Sequence, residues 1–342
     1  MARGDTIKEK VARYVCCMKV LLLGATGLLG HNVLRQLADG GHEVVALVRR
    51  ADGLRTAGPW EVREGSMLDY ATLARAAAGC DAVVNCAGTT DMALLRREDY
   101  LPMNRDLCRL LVRLLEEEGI GTLVHTSTVN TIGYGTAAHP ADESAPMQTP
   151  CLGSLYAESK REGEAIVLEA AQRLEGRHIV VVNPGFMLGA WDTKPSSGRM
   201  LLAAYRKPLM PAPKGGKAFV HVQDVAQAIV NALTQGESGR RYIAVNSRAC
   251  LSVKELYRIQ AEACRYRQLV FSLPDWLLLA AGHVGDALRA VGVKTALSTR
   301  NVRMLTIHEH YDNTAARHEL GMHETPISQA VREFHQWRKE NT

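Results

Sequence analysis

An α/β fold, built on a doubly wound parallel sheet with a smaller C-terminal lobe, is what this 342-residue sequence predicts. Three observations carry that expectation. Short apolar runs alternate with helical periodicity from Met18 to about residue 190. A glycine-rich turn joins the first apolar run to the first helix. Beyond the sixth run the alternation stops, and composition turns irregular through Pro195, Ser196, Ser197 and Gly198 and on from Pro208 to Lys217.

The first run is Lys19-Val20-Leu21-Leu22-Leu23, and it leads straight into Gly24-Ala25-Thr26-Gly27-Leu28-Leu29-Gly30. The helical pattern continues in Val33, Leu34 and Leu37. Gly24 suits a tight strand-to-helix turn, Gly27 lets a pyrophosphate approach the main chain, and Gly30 lets the helix lie close to the sheet. Free N–H groups at a positive helix end complete a phosphate site. Thr26, Leu28 and Leu29 belong to the same cradle. This is a Rossmann-type dinucleotide turn, and strand-turn-helix context is what gives the glycine spacing its meaning.

Further strands are expected at Glu43–Val48, Trp60–Arg63, Ala82–Asn85, Thr122–Thr126 and His178–Val182. The first helix should end at Gly40-Gly41. Arg49 and Arg50 follow the second strand, where an NAD site usually carries Asp or Glu about 20 residues past the glycines. Cations there suit the additional phosphate of NADP, so NADP(H) is favoured over NAD(H). Asp69 reads as the N-cap of a helix beginning at Tyr70. Residues 100–118 form a long amphipathic helix that carries Asn104 and turns Leu107, Leu110, Leu111 and Leu114 inward.

The fifth strand ends in His125-Thr126-Ser127-Thr128, and a helix to about Leu174 opens on Tyr156-Ala157-Glu158-Ser159-Lys160. Tyr156 and Lys160, four apart, share a helical face. An ammonium beside a phenol is expected to lower the tyrosine pKa towards working pH, and a hydroxyl from Thr128 or Ser127 would polarise a substrate oxygen. Past the sixth strand, Val220 to Ala226 resumes order ahead of a helix expected over residues 226–233. Ser252 and Glu255 form a capping box for a helix over 253–264, and Thr325-Pro326 starts a last helix ending around Trp337-Arg338. These C-terminal pieces are expected to form a lid over the carboxyl ends of the strands.

Composition narrows the function. A net charge of +5, with acids interleaved among the bases, does not imply nucleic acid. The eight cysteines lack zinc spacing and read as reduced, buried thiols, so no metal is expected. The apolar run from Trp276 to Gly282 is far shorter than the ~20 residues of a membrane span, and a cytoplasmic protein with a small-molecule partner is expected. Residues 1–17 read as an extension outside the core, with Ile7, Val11 and Val15 permitting a short amphipathic turn.

Taken together, the glycine turn, Asn85-Cys86-Ala87-Gly88, Asn104, Ser127-Thr128, Tyr156/Lys160 and Asn183-Pro184-Gly185 resemble the extended short-chain dehydrogenase/reductase superfamily from Met18 onward. Within it, Asn183-Pro184 through Gly189, Val220-His221-Val222-Gln223-Asp224-Val225-Ala226 and Tyr311-Asp312-Asn313 are similar to the dihydroflavonol-reductase-like and 3-beta-hydroxysteroid dehydrogenase-like group. The resemblance implies that Tyr156 moves the proton and that Thr128 rather than Ser127 is its hydroxyl partner. It also implies that Lys160 holds the nicotinamide ribose and that Asn104 completes the catalytic set. Cys86, Ala87, Gly88 and Thr126 would border the cofactor, and Pro184 and Gly185 would line the nicotinamide. It further implies a Rossmann domain over 18–185, a substrate lobe over 186–342 with residues 218–248 returning to the first domain, and a homodimer formed by helices 100–118 and 157–174. Two departures stand out. Gly65-Ser66-Met67 replaces a Gly-Asp-hydrophobic adenine site, and Phe186 replaces an asparagine used by nucleotide-sugar enzymes, which counts against such substrates.

The expected activity is NADP(H)-dependent hydride transfer between the nicotinamide and a ketone, aldehyde or secondary alcohol. The alternatives are a sugar or nucleotide-sugar epimerase or dehydratase with tightly bound NAD, and a catalytically silent dinucleotide sensor. Phe186, Met187 and Trp191 are the candidate substrate contacts. With Met200, Leu201, Leu202, Tyr205, Phe271 and Trp276 they form either lobe core or an apolar pocket.

Overall fold

The computed structural model describes residues 17–54, 56–193 and 196–341. The turn read at residues 7–15, and Lys194 and Pro195, lie outside them. The strands in chain order are β1 (Lys19–Leu23), β2 (Glu43–Val48), β3 (Trp60–Glu64), β4 (Ala82–Asn85), β5 (Thr122–Thr126), β6 (His178–Pro184), β7 (Phe186–Leu188), β8 (Leu209–Ala212), β9 (Gly216–His221), β10 (Arg241–Ala244), β11 (Cys250–Ser252) and β12 (Leu269–Ser272). Seven of them form one sheet in the order β3-β2-β1-β4-β5-β6-β10. Every pairing in it is parallel. Strand order reverses between β1 and β4, and the crevice at such a reversal is where doubly wound sheets bind ligands.

The alternation of β1 explains why both sheet faces are covered. Val20 and Leu22 pack beneath the helices Leu28–Asp39 and Val222–Asn231, whereas Leu21 and Leu23 meet the helices Tyr70–Ala77, Leu107–Glu117 and Leu155–Arg173 on the other face. All four are fully buried, and each burial contributes about 1.5–3 kcal/mol. Asp69 caps its helix by accepting from the Thr72 N–H at 3.1 Å, and the Ser252/Glu255 capping box is formed.

Two helices differ from their expected course. Residues 102–106 make a π-turn ahead of the regular helix Leu107–Glu117, and this turn carries Asn104. The helix expected from Ala226 already starts at Val222, because the His221 imidazole accepts from the Gln223 N–H at 3.1 Å and caps it.

Smaller sheets build the second lobe. β7 runs parallel to β9, β11 runs antiparallel to it, and β8 pairs with β12. The helices Val253–Ala263 and Ile327–Asn341 close over Leu201, Phe219, Leu256 and Phe334. None of the helices among the described residues is long and apolar enough to cross a membrane.

Candidate active site

The glycine turn is held by backbone approach. Gly24 sits at φ +84°, and a Cβ there would lie 2.7 Å from the Ala87 nitrogen at the end of β4. A Cβ on Gly30 would lie 2.1 Å from the Gly24 carbonyl oxygen. Gly27 is different: a Cβ there would meet only the Gly24 oxygen, at 3.5 Å. Gly27 is also the N-cap of the 12-residue helix Leu28–Asp39, and no side chain caps that end. An open glycine before uncapped N–H groups fits a pyrophosphate. Thr26 and Leu28 border this opening half-buried, and Leu29 turns into the core.

At the end of β4, Asn85 Oδ1 accepts from the Ala87 N–H at 3.0 Å. Asn104 then clamps the following loop. Its amide accepts from the Thr89 N–H at 2.8 Å and donates to the Thr89 carbonyl at 3.0 Å and to Ser159 Oγ at 2.9 Å. Both amide hydrogens of Asn104, expected among the catalytic groups, are thereby used on the Thr89 carbonyl and Ser159. A Cβ on Gly88 would lie 3.2 Å from Asn104 Oδ1 and 3.7 Å from Lys160 Nζ, which places these three residues together. Thr126 Oγ1 donates to Cys86 Sγ at 3.7 Å, tying the ends of β4 and β5.

Lys160 is buried and donates to the Thr126 carbonyl at 2.7 Å. Burial lowers its pKa, opposed by Cys108, Glu164 and Cys86. Tyr156 departs from expectation. Burial pushes its phenol above the usual value, and the hydrogen bond with the Thr128 hydroxyl only partly opposes the rise. No hydrogen bond joins Lys160 to Tyr156 among the described residues, and burial sets the direction of the tyrosine shift. The Thr128 backbone is fixed in turn, because its carbonyl accepts from Asn183 Nδ2 at 3.1 Å and from Thr131 Oγ1 at 2.8 Å. Beside it the Ser127 hydroxyl is buried and has no partner among the described residues.

Pro184 ends β6 and is buried. Gly185 is required by a close approach, since a Cβ there would lie 2.3 Å from the Ala218 carbonyl oxygen. Arg49 and Arg50 are both exposed after β2, but Arg50 pairs with Asp52 at 2.6 Å. Arg49 makes no ion pair among the described residues. The Ser66 hydroxyl accepts from the Leu68 N–H at 3.2 Å, and Met67 is buried below it.

Tyr156 faces a cavity of about 520 Å³. Its walls come from three distant segments: Met92, Leu94 and Tyr100; Thr149 to Tyr156; and Asp286 to Arg303. The candidate substrate contacts lie elsewhere. Phe186 packs edge-on to Phe219 with ring centroids 5.2 Å apart, and Met187 packs on the sheet core. Trp191 stacks on His31 at 4.2 Å and lines a separate cavity with Thr26 and Trp337. Met200, Leu201 and Leu202 are lobe core, Tyr205 stacks on His335 at 4.3 Å, and Phe271 and Trp276 are exposed. An apolar stretch is therefore a poor guide to this pocket, whose polar walls include Arg289, Arg300 and Arg303.

Residues 20–246 match the NAD dependent epimerase/dehydratase family. The chain belongs to that family. Its members bind a nicotinamide dinucleotide, and the glycine turn is where this chain can hold one. A Synechocystis sp. protein named for dihydroflavonol 4-reductase activity is 29% identical over 324 residues, covering 92% of each chain. Sterol demethylase protein B of Methylococcus capsulatus is 26% identical over 336 residues, covering 94% of this chain and 99% of its own. The crystal structure of gox2253 superposes with a TM-score of 0.79 at 25% identity, covering 94% of this chain and 98% of that one.

Proposed function

We propose that this protein is an NADP(H)-dependent carbonyl reductase or alcohol dehydrogenase. The observation that carries the reading is Tyr156, at the start of the helix Leu155–Arg173, lining the 520 Å³ cavity with its phenol influenced by the Thr128 hydroxyl. A relative named for dihydroflavonol 4-reductase activity supports reduction as the reaction class.

The dinucleotide, when bound, supplies or takes up the hydride. Gly24, Gly27 and Gly30, with the N–H groups after Gly27, would hold its pyrophosphate. Arg49, the unpaired member of its pair, would meet the additional phosphate of NADP. Lys160, Gly88, Pro184 and Gly185 would border the nicotinamide end. Thr128 orients the substrate oxygen, and the Tyr156 hydroxyl gives that oxygen its proton in reduction and takes it back in oxidation. A phenol kept protonated by burial is already in the form a reduction needs.

The test is NADPH oxidation against a panel of ketones and aldehydes. Tyr156→Phe is expected to lower kcat by at least about 10²-fold while dinucleotide binding is retained. Parent turnover in that variant would refute the assignment. Protein that purifies with stoichiometric NAD and consumes none would instead favour an internally recycling epimerase or dehydratase.

A further inference from the structure

The helix Asp275–Ala290 leaves an apolar stripe uncovered. Trp276 is 68% exposed, Val284 59% and Val291, just past the helix end, 77%, and with Ala280 and Leu288 they recur at helical spacing along one side. The opposite side is packed: Gly282 and Gly285 lie so close to Thr299 and Leu297 that a Cβ on either would meet backbone within 2.8 Å. The exposed stripe is continuous along the chain with β12, where Leu269 is 66% exposed and pairs with Leu209, itself 55% exposed on β8. Exposed apolar residues gathered on one helix side in this way mark an interaction face.

Charge says what covers it. Between Cys264 and Met304 stand six cations, Arg265, Arg267, Arg289, Lys294, Arg300 and Arg303, against two carboxylates, Asp275 and Asp286, so this segment holds +4 of the chain's net +5. Arg289 turns inward onto the Leu94 carbonyl at 2.7 Å and Arg300 and Arg303 line the cavity, while Arg265, Arg267 and Lys294 are exposed away from it. Of the carboxylates, Asp286 is committed to Thr299. An apolar stripe bearing a tryptophan, on a helix preceded in the chain by exposed Arg265 and Arg267 and followed by exposed Lys294, has the pattern of a helix lying in a bilayer interface. We propose that helix Asp275–Ala290, with the β8–β12 edge, docks this protein on the surface of a membrane containing anionic lipid, without spanning it. The same helix and the segment after it line the cavity beside Tyr156 through Asp286, Arg289 and Ser298, so docking brings one wall element of that cavity to the lipid surface. The docking does not depend on the reductase reading.

The experiment is cosedimentation of the full chain with phosphatidylcholine vesicles, with and without phosphatidylglycerol. Binding to the anionic vesicles is expected. It should weaken about tenfold or more in Trp276→Glu/Val284→Glu and roughly fivefold per cation in Arg267→Glu/Lys294→Glu. Trp276→Ser/Val291→Ser repeats the test on the same stripe should the glutamates disturb folding. NADPH oxidation with a water-soluble aldehyde should keep the parent rate in all of them, which separates docking from turnover. Absence of binding to anionic vesicles, or binding unchanged in the stripe variants, overturns the proposal. A parent dimer that the stripe variants dissociate overturns it too, and would make this face a contact between copies.

Discussion

Lys160 gives its ammonium to the carbonyl of Thr126, 2.7 Å away, and not to the phenol one helical turn before it. The tyrosine is therefore governed by burial, which raises its pKa above the ordinary 10. In reduction the phenol is the donor, so kcat/KM should be flat from roughly pH 7 to pH 9, with the alkaline limb above that range. Lys160→Met should lower dinucleotide affinity and leave the shape of the profile intact. A limb near neutral pH in the parent, moved upward by Lys160→Met, would mean that the ammonium does control the phenol.

The glycine turn separates fold from binding. Gly30→Ala drives a Cβ to within 2.1 Å of a backbone oxygen that cannot yield, so it should cost about 1–3 kcal/mol and abolish dinucleotide binding. Gly27→Ala meets only an ordinary contact at 3.5 Å, so the free protein should keep its stability while affinity drops. Thermal melting and NADPH titration of the two variants decide the matter. Equal stability losses would put Gly27 in the packing rather than in the cradle.

Most of the sheet was legible because its signals are local. β1 has five apolar or stem-apolar residues before a glycine, and such a run has few alternatives to a buried parallel strand. The positions of Thr128, just past the end of β5, and of Tyr156, at a helix start, were legible for the same reason. The cavity was not, because Met92, Tyr100, Pro150 and Arg300 are brought together only by the tertiary fold. The stack of Trp191 on His31 was not legible either, since sequence gives the aromatic area of a tryptophan but not its partner. The π-turn holding Asn104 was also hidden: its apolar spacing passes for a regular helix, and the close approach of Gly163, where a Cβ would lie 1.9 Å from the Asn104 carbonyl oxygen, belongs to a helix more than 50 residues away in sequence.

A buried carboxylate links the sheet edge to Thr128. Glu164, 2% exposed, accepts from Thr131 Oγ1, Asn183 Nδ2 and Arg241 Nη1, each at 2.8 Å. Asn183 in turn holds the Thr128 carbonyl. Arg241→Met strands the charge and should cost about 3 kcal/mol, the lower end for a broken buried pair because Arg241 is partly exposed. The double variant with Glu164→Met should recover part of that loss. Urea denaturation measures both, and a double variant no more stable than Arg241→Met would show that the carboxylate is not the stranded group.

Acid should loosen the protein before its carboxylates titrate. His31, 4% exposed against Trp191, has its pKa lowered to about 4, first by burial and then by the charge of Arg35. Its folded pKa lies below the unfolded value of 6.5, so the unfolded chain takes the proton first. Stability from this group is whole above pH 6.5, falls as pH drops towards 4, and loses nothing more below that. His125 adds to the same window, its pKa lowered by burial and then by Lys160. His31→Phe keeps a ring against Trp191 and removes one titration, so between pH 7 and pH 5 it should lose about 2 kcal/mol less than the parent. Urea midpoints at the two pH values provide the comparison. Parallel losses in parent and variant would mean that His31 is solvated in the folded protein and does not carry the acid sensitivity.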